Sequence, residues 1–480
     1  MQLFLQGKLT GIDTFISNSE SPDGDLMGRC RYVSLLTEVI PRALLNHLHL
    51  AKELLGLAGG GQFLLVIPSE MLAEAETFLT EAGQRLAAFT GGALELEWAS
   101  TENLGDWSDI RRRLAAVERT YERTPLSRST PVFTPVEEKA VSSGGWFEDL
   151  FRRPEAQVGW SAESPSLLEL DGGEPRWTVD LADDKALPIA THVAQNDADQ
   201  SPASCEELGR RAAGRPLWGV LRGDIDGFGI RLRRAQSVEE HIQLSVLFRR
   251  FFSGELHLAC CAPGYWRKTS ILFTGGDDFA VVGAWDALMD LARELQRLFH
   301  RTVEEFLKDA PGPEGKTISM ALALAPEPDT PLARVWEAAE RNLETAKTAG
   351  KDSIYVLGRS LEWKQLGEAA DLKETMMRLI QDFGASAQFL AELSAFYRET
   401  DGALPLRLNR NRAARTDRPW RFHRRLSRVL ESASRHREFQ KVKAELLGEF
   451  IRKKQSHVKL RPAGRVALEW ARLASGTGQE

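Results

Sequence analysis

Two distant stretches of this chain carry the same order of strands and helices around the same kind of glycine-rich turn. In the first, residues 2–5 read as a strand. Residues 29–50 place Val33, Leu36, Val39, Ile40, Leu44 and Leu48 at helical spacing, with Pro41 expected to kink or split the helix. Strand-like runs at 54–57 and 63–67 flank Gly59-Gly60-Gly61, a hairpin signal. A helix at 69–88, with Ser69 as its expected N-cap, and an alternating run at 93–98 complete the set. The second stretch repeats it. Strands at 217–224, 270–273, 279–283 and 317–323 interleave with helices at 238–252 and 287–307, and Gly275-Gly276 marks the equivalent hairpin. A helix at 331–348 and a strand at 353–357 follow.

A βαββαβ order seen twice points to an internal duplication of the ferredoxin-like split unit. The fold class expected is therefore α+β, with unit boundaries at 1–100 and 215–358. Between them, 101–214 has a helical start at 103–123. It then turns rich in Pro, Ser, Gly, Asp and Glu, which reads as an irregular insertion with a few short strands and no large core. Residues 359–480 read as helical, with amphipathic candidates at 366–383 and 386–397, an arginine-dense stretch at 406–425 and a charged helix at 435–454.

Charge is divided unevenly. The chain of 480 residues has a formal net charge of −6, yet 401–480 carries +12 and 1–400 carries −18. A basic C-terminal module suits an acidic partner such as nucleic acid, or a solvated face docked on the chain's own acidic body. The four cysteines, Cys30, Cys205, Cys260 and Cys261, contain no CxxC pair, so neither a disulfide framework nor zinc is expected. No apolar run reaches bilayer length and the N-terminus lacks a signal-peptide pattern; no membrane association and a cytoplasmic location are the default expectations.

The chemistry concentrates in Gly275-Gly276-Asp277-Asp278-Phe279 and in Arg222-Gly223-Asp224-Ile225-Asp226-Gly227-Phe228-Gly229. Adjacent carboxylates on a tight turn repel each other unless a cation neutralises them. A hard divalent ion with nucleotide phosphates is the natural partner. The topology brings Asp224, at the end of a buried strand, beside the Asp277-Asp278 hairpin. Asp224 with Asp277 or Asp278 would thus make a two-carboxylate platform on which two ions can activate a 3′-hydroxyl and stabilise a pyrophosphate leaving group. The glycine turn after Asp224 offers backbone N–H groups to phosphate. Lys347 and Lys351, four apart at the end of a helix, are expected to face a triphosphate together.

These residues resemble the palm domain shared by nucleotide cyclases, GGDEF-type diguanylate cyclases and polymerases. Further segments sharpen the likeness: Leu9-Thr10-Gly11-Ile12-Asp13-Thr14-Phe15-Ile16, the helix start Gly28-Arg29-Cys30-Arg31-Tyr32, and the acid-free hairpin Gly59-Gly60-Gly61-Gln62-Phe63. With LWGVLRGDIDGFG, FTGGDDF and ETAKTAGKDSI, they resemble the large polymerase-cyclase subunit of type III CRISPR effector complexes, in its Csm-type branch. The resemblance implies two palm domains, an intervening domain and a C-terminal helical bundle. It implies synthesis of cyclic oligoadenylate from ATP with Mg²⁺ or Mn²⁺, in a complex with other type III subunits, crRNA and target RNA. By position, Asp277 and Asp278 are the catalytic acids and, with Asp224, the metal ligands. Ile225, Asp226, Gly227, Phe228, Gly275, Gly276, Lys347 and Lys351 contact nucleotide, and Thr10, Gly59 and Gly60 supply part of a second ATP pocket.

Two departures stand out. No His-Asp dipeptide occurs among the nine histidines, so an HD-type DNase is not expected of this chain. The cysteine zinc module usual between the palms is missing, and 101–214 must be built differently. Two other readings fit the same residues: a palm enzyme making a dinucleotide or an adenylate conjugate, and a non-catalytic RNA scaffold.

Overall fold

The structure is a computed structural model. It describes every residue except 18–22, 124–144, 154–156, 182, 184, 384–386, 389, 392–423, 425–438, 442–450, 455–456, 461 and 477–480. The expected helix at 386–397 and the arginine-dense stretch at 406–425 therefore lie largely outside the described residues.

The first unit runs β1 (Gln2–Thr10), α1 (Ile12–Ile16), α2 (Asp23–His47), β2 (Leu55–Gly59), β3 (Gln62–Pro68), α3 (Leu72–Phe89) and β4 (Glu95–Glu102). Its sheet has the order β2-β3-β1-β4, with antiparallel pairing at each step. Ser69 does not cap α3; residues Ser69–Met71 form a short 3₁₀ turn ahead of it. The second helix starts earlier than expected and runs through Pro41 without a break. Nineteen of its 25 residues are buried, because it lies between the first sheet and the second unit. Packing on all sides, rather than one apolar stripe, holds it.

Next come α4 (Trp107–Arg123), α5 (Trp146–Arg152), a small sheet of β5 (Val158–Trp160), β6 (Leu168–Leu170) and β7 (Arg176–Trp177), and α6 (Cys205–Arg210). This insertion shares the core of the first unit. Phe147, Leu150, Phe151, Leu167 and Leu168 are buried with α2, and the Tyr32 hydroxyl donates to Ser166 O at 2.8 Å. A Cβ at Gly28 would lie 1.8 Å from Phe147 O, so only glycine admits α5 there.

The second unit follows with β8 (Trp218–Ile225), α7 (Phe228–Arg234), α8 (Val238–Arg250), a π-helical turn at Phe251–Glu255, and α9 (Leu256–Cys261). Then come β9 (Thr269–Thr274), β10 (Asp278–Ala284), α10 (Trp285–Phe306), β11 (Ile318–Leu324), α11 (Leu332–Ala349), β12 (Ser353–Val356) and β13 (Arg359–Glu362). Sheet order is β13-β12-β11-β8-β10-β9. Its last four strands repeat the order of the first sheet, β11-β8-β10-β9 matching β4-β1-β3-β2, as a duplication requires. Alternation along the strands divides the core. Trp218, Val220, Ala280 and Val282 face the first unit, whereas Leu221, Phe279 and Val281 pack with α8 and α10.

The C-terminal part is less uniformly helical than its composition suggests. After α12 (Trp363–Gln381), a two-stranded pair, β14 (Ile451–Lys454) and β15 (His457–Leu460), replaces the end of the expected 435–454 helix. The final helix, α13 (Pro462–Ala474), packs on α12. The strand Arg359–Glu362 was also not expected; it extends the second sheet by pairing with β12.

Candidate functional site at the junction of the two units

The centre of the site is set by β8, which is flanked by β10 and β11. Asp224, near its end, stands opposite Asp278 on one side and Ser319 on the other. The hairpin before Asp278 is closed by Gly275 N donating to Asp278 O at 2.7 Å. A Cβ at Gly275 would lie 2.0 Å from Asp278 Oδ1, so the glycine makes room for the carboxylate. Asp277 is tied to the same platform: Ile225 N donates to its carbonyl at 2.9 Å. All three acids thus sit at one end of the paired strands β8 and β10.

Burial, then the charges of Asp278 and Asp224, pushes Asp277 up to about 8. Burial, then Asp224, pushes Asp278 up to about 6, with Arg222 acting the other way. Asp224 is also raised by burial, against the pull of Lys347, whose Nζ lies 3.1 Å from Asp224 Oδ2. Burial works against the charge of Lys347, but Asp224 and Glu344 together hold it above its ordinary value. Arg222 is buried, with its guanidinium 4.5 Å from the Trp336 ring centre and 3.6 Å from Glu340 Oε2.

Among the described residues, no three His, Cys, Asp or Glu side chains already converge in ion-binding geometry. The donors nevertheless suit Mg²⁺ or Mn²⁺. All are hard carboxylate oxygens, and Mg²⁺ is commonly held by one or two carboxylates completed by water and substrate phosphates.

Several expected nucleotide contacts are placed elsewhere. Asp226 is buried and internally bonded. Its carboxylate accepts from Thr317 Oγ1 at 2.8 Å, Ser319 Oγ at 2.7 Å and Asp352 N at 2.9 Å, and its own N–H donates to Thr317 O. The N–H of Ile225 is likewise used, by Asp277 O. Neither amide is open to phosphate. Gly227 and Phe228 remain suitable, since the first bonds of α7 come from Ile230 and Arg231 to Gly227 O. Lys351 lies beyond the end of α11, exposed and with φ of 62°, so it does not share a helical face with Lys347. Thr10 ends β1 opposite Glu95 and lines neither chamber described next.

The two glycine hairpins meet. A Cβ built on Gly60 would lie 3.3 Å from Gly276 N, and one on Gly59 3.7 Å from Gly276 Cα. Two chambers open on either side of this junction. The smaller, about 230 Å³, is lined by Asp278, Gly275, Arg222 and Trp336 and by Asp13, Cys30 and Ser34 of the first unit. The larger, about 750 Å³, is lined by Asp277, Gly276 and Phe228 and by Arg111, Arg112, Arg233 and Arg249. Arg249 reaches both and bridges the units, with Nη2 2.6 Å from Oε1 of the buried Glu38. The sequence reading missed Arg222 and Arg249. The first could have been found by period two, since it shares a strand face with Asp224; the second is placed only by the docking of the units.

Comparison with known proteins fits this layout. Residues 217–355 match the family model of the Cas10/Cmr2 second palm domain, and residues 1–114 match that of Csm1 subunit domain B. A Cas10/Csm1 single-strand-specific deoxyribonuclease of subtype III-A from Thermococcus onnurineus is 28% identical over 180 residues, covering 35% of this chain and 22% of that protein. Its counterpart from Mycobacterium tuberculosis is 24% identical over 180 residues, covering 33% and 21%. The matches thus span only about a fifth of each curated relative's length. In fold, the chain is similar to the apo Csm1-Csm4 cassette, with TM-score 0.69, 19% identity and coverage of 99% of this chain and 70% of that one. The cassette in complex with cA4 gives TM-score 0.70 and 18% identity, with the same coverage. Two family models that meet across the paired hairpins, and a fold shared along nearly the whole chain, place this protein in the Cas10/Csm1 family, the Csm-type large subunits of type III CRISPR systems.

Proposed function

We propose that this chain is the large subunit of a type III CRISPR effector complex and makes cyclic oligoadenylate from ATP when the complex binds target RNA. The observation that carries the reading is the pair Asp277 and Asp278, which line the two chambers at facing glycine hairpins, with Asp224 directly opposite Asp278 on the neighbouring strand. Related cassettes solved with AMPPNP and with cA4 support it, as proteins of the same fold that bind an ATP analogue and a cyclic product.

In this mechanism the 3′-oxygen of one nucleotide attacks the α-phosphorus of another, forming a phosphodiester and releasing pyrophosphate; ring closure repeats the step within one chain. Bound Mg²⁺ or Mn²⁺ supplies Lewis acidity at the hydroxyl and the leaving group. Asp277 and Asp278 would hold it beside the attacking hydroxyl, and Asp224 would complete the set. Lys347 exchanges its contact with Asp224 for the triphosphate, and the amides of Gly227 and Phe228 orient the phosphates. Gly59, Gly60, Gly275 and Gly276 leave space for two nucleotides to face each other.

The palm boundaries at 1–100 and 215–358, the insertion at 101–214 and the basic region at 359–480 are part of this proposal, with the basic region serving RNA and partner subunits. No DNA cleavage is assigned to these residues. The test is pyrophosphate release from ATP by the assembled complex, in the wild type and in Asp224→Asn. The reading expects release that depends on Mg²⁺ or Mn²⁺ and falls at least a hundredfold in the variant; equal release in both would overturn it.

A further inference from the structure

Three side chains of metal-ligating type gather outside both chambers, where the insertion is laid against the second unit. His192 lies in the extended segment after β7. That segment is held to β9 by Ile271 N donating to His192 O at 2.9 Å and by Ala194 N donating to Ser270 Oγ at 3.0 Å. His257 and Cys261 belong to α9, four residues apart and so on one helical face. Cys261 Sγ stands 3.4 Å from His192 Nδ1 and 3.5 Å from His257 Nε2. None of the three lines either chamber.

These separations are those of ligands that share an ion. With Zn–S of about 2.3 Å and Zn–N of about 2.0–2.1 Å, a tetrahedral centre sets sulfur and nitrogen about 3.5 Å apart. A thiol hydrogen bond accounts for only one of the two contacts, because Cys261 has a single S–H to give and sulfur is a weak acceptor for the other ring. The remaining edge is open. The two imidazole ring centres are 6.4 Å apart, and among the described residues no three such donors yet enclose an ion. A cation would draw the rings together about the sulfur. Cys261 is exposed, which leaves a fourth position to water.

The donors decide which cation fits. Burial pushes His192 down to about 4 and lowers His257 as well, so both rings are neutral at neutral pH and offer lone pairs. Two imidazoles and a thiolate suit Zn²⁺ and not the hard ions that the carboxylates of the second unit would take. We propose that His192, His257 and Cys261 bind one Zn²⁺, completed by water, as a clasp between the insertion and α9. The thiol gives its proton to solvent as the Zn–S bond forms, and each imidazole binds through the nitrogen that faces the sulfur. The clasp fixes the segment laid on β9, whose last residue, Thr274, precedes Gly275. The lack of a CxxC pair argues against a site of four thiolates and does not bear on this donor set.

The test uses the assembled complex, kept reduced, stripped with a chelator and titrated with Co²⁺ as the spectroscopic probe. It is run beside Cys261→Ser/His257→Gln, in which the half-buried His192 is left intact. The expected result is a thiolate-to-Co²⁺ charge-transfer band with the strong visible bands of a tetrahedral ion. Zn²⁺ should bleach these bands, and the variant should lack them and bind one equivalent less. Zn²⁺ should also raise the unfolding temperature of the wild type more than that of the variant. Cys261→Ala alone, at an exposed position, serves if the double variant does not assemble. No charge-transfer band in the wild type, or an equal band in the variants, overturns the inference. Asp277→Ala/Asp278→Ala should keep the band, since oxygen ligands do not produce it, so the result stands or falls apart from the proposed synthesis.

Discussion

Asp224 and Asp278 stand directly opposite each other on neighbouring antiparallel strands, with Lys347 Nζ 3.1 Å from the first. Like charges directly opposite on paired strands are destabilising. The sheet tolerates them because Lys347 offsets one and burial holds the other toward its protonated form.

A pH dependence follows. Asp277 and Asp278 have folded values near 8 and 6, above those of an unfolded chain. The folded state therefore binds more protons, and metal-free stability falls as pH rises from about 4 to about 8. Saturating Mg²⁺ or Mn²⁺ displaces these protons and reverses the trend. Thermal unfolding across that range should show the decline, its reversal by metal, and a flatter profile in Asp277→Asn/Asp278→Asn.

The meeting of the hairpins predicts a cost at Gly60, which has φ of 59°. Gly60→Ala places a Cβ 3.3 Å from Gly276 N and strains a left-handed backbone. The expected loss is about 1–2 kcal/mol. Activity should fall further than stability, because the displaced turn carries Asp277 and Asp278. Chemical denaturation alongside turnover separates the two effects.

Asp226 behaves as a structural acid. Its carboxylate joins the turn after β8 to the start of β11 and to the segment after α11 through three hydrogen bonds. Asp226→Ala leaves those buried donors without an acceptor and should cost about 2–4 kcal/mol in denaturant unfolding. Thr317→Val should cost about 1 kcal/mol.

Lys347→Met removes the one cation paired with Asp224 among the described ion pairs. The Asp224 carboxyl should rise further, and the apparent KM for ATP should increase about tenfold with a smaller change in kcat. Steady-state kinetics of the complex distinguishes this from a general loss of folding, which would lower the active fraction and leave KM unchanged.

The duplicated unit was legible in the sequence because strand alternation and glycine turns are local signals, and the acids of both motifs were legible because they end strands of one sheet. The amides of Ile225 and Asp226 were expected to face phosphate, but they donate to Asp277 O and Thr317 O, acceptors that only the assembled sheet brings to them. Lys351 was misread because spacing of four implies a shared face only if the helix continues, and α11 ends at Ala349. Pro41 was expected to kink or split its helix, and tertiary packing keeps the helix unsplit. The Glu38–Arg249 bridge and the two chambers arise only when the units dock, and no local pattern reports that.

The most direct measurement of the central claim is product analysis with labelled ATP and Mg²⁺ or Mn²⁺. It uses the protein assembled with its co-purified partners, with and without target RNA, beside Asp277→Ala/Asp278→Ala. The account predicts cyclic oligoadenylate that appears only with target RNA and disappears in the double variant. An intact, RNA-bound complex that yields no oligoadenylate, or a double variant that yields as much as the wild type, would contradict it.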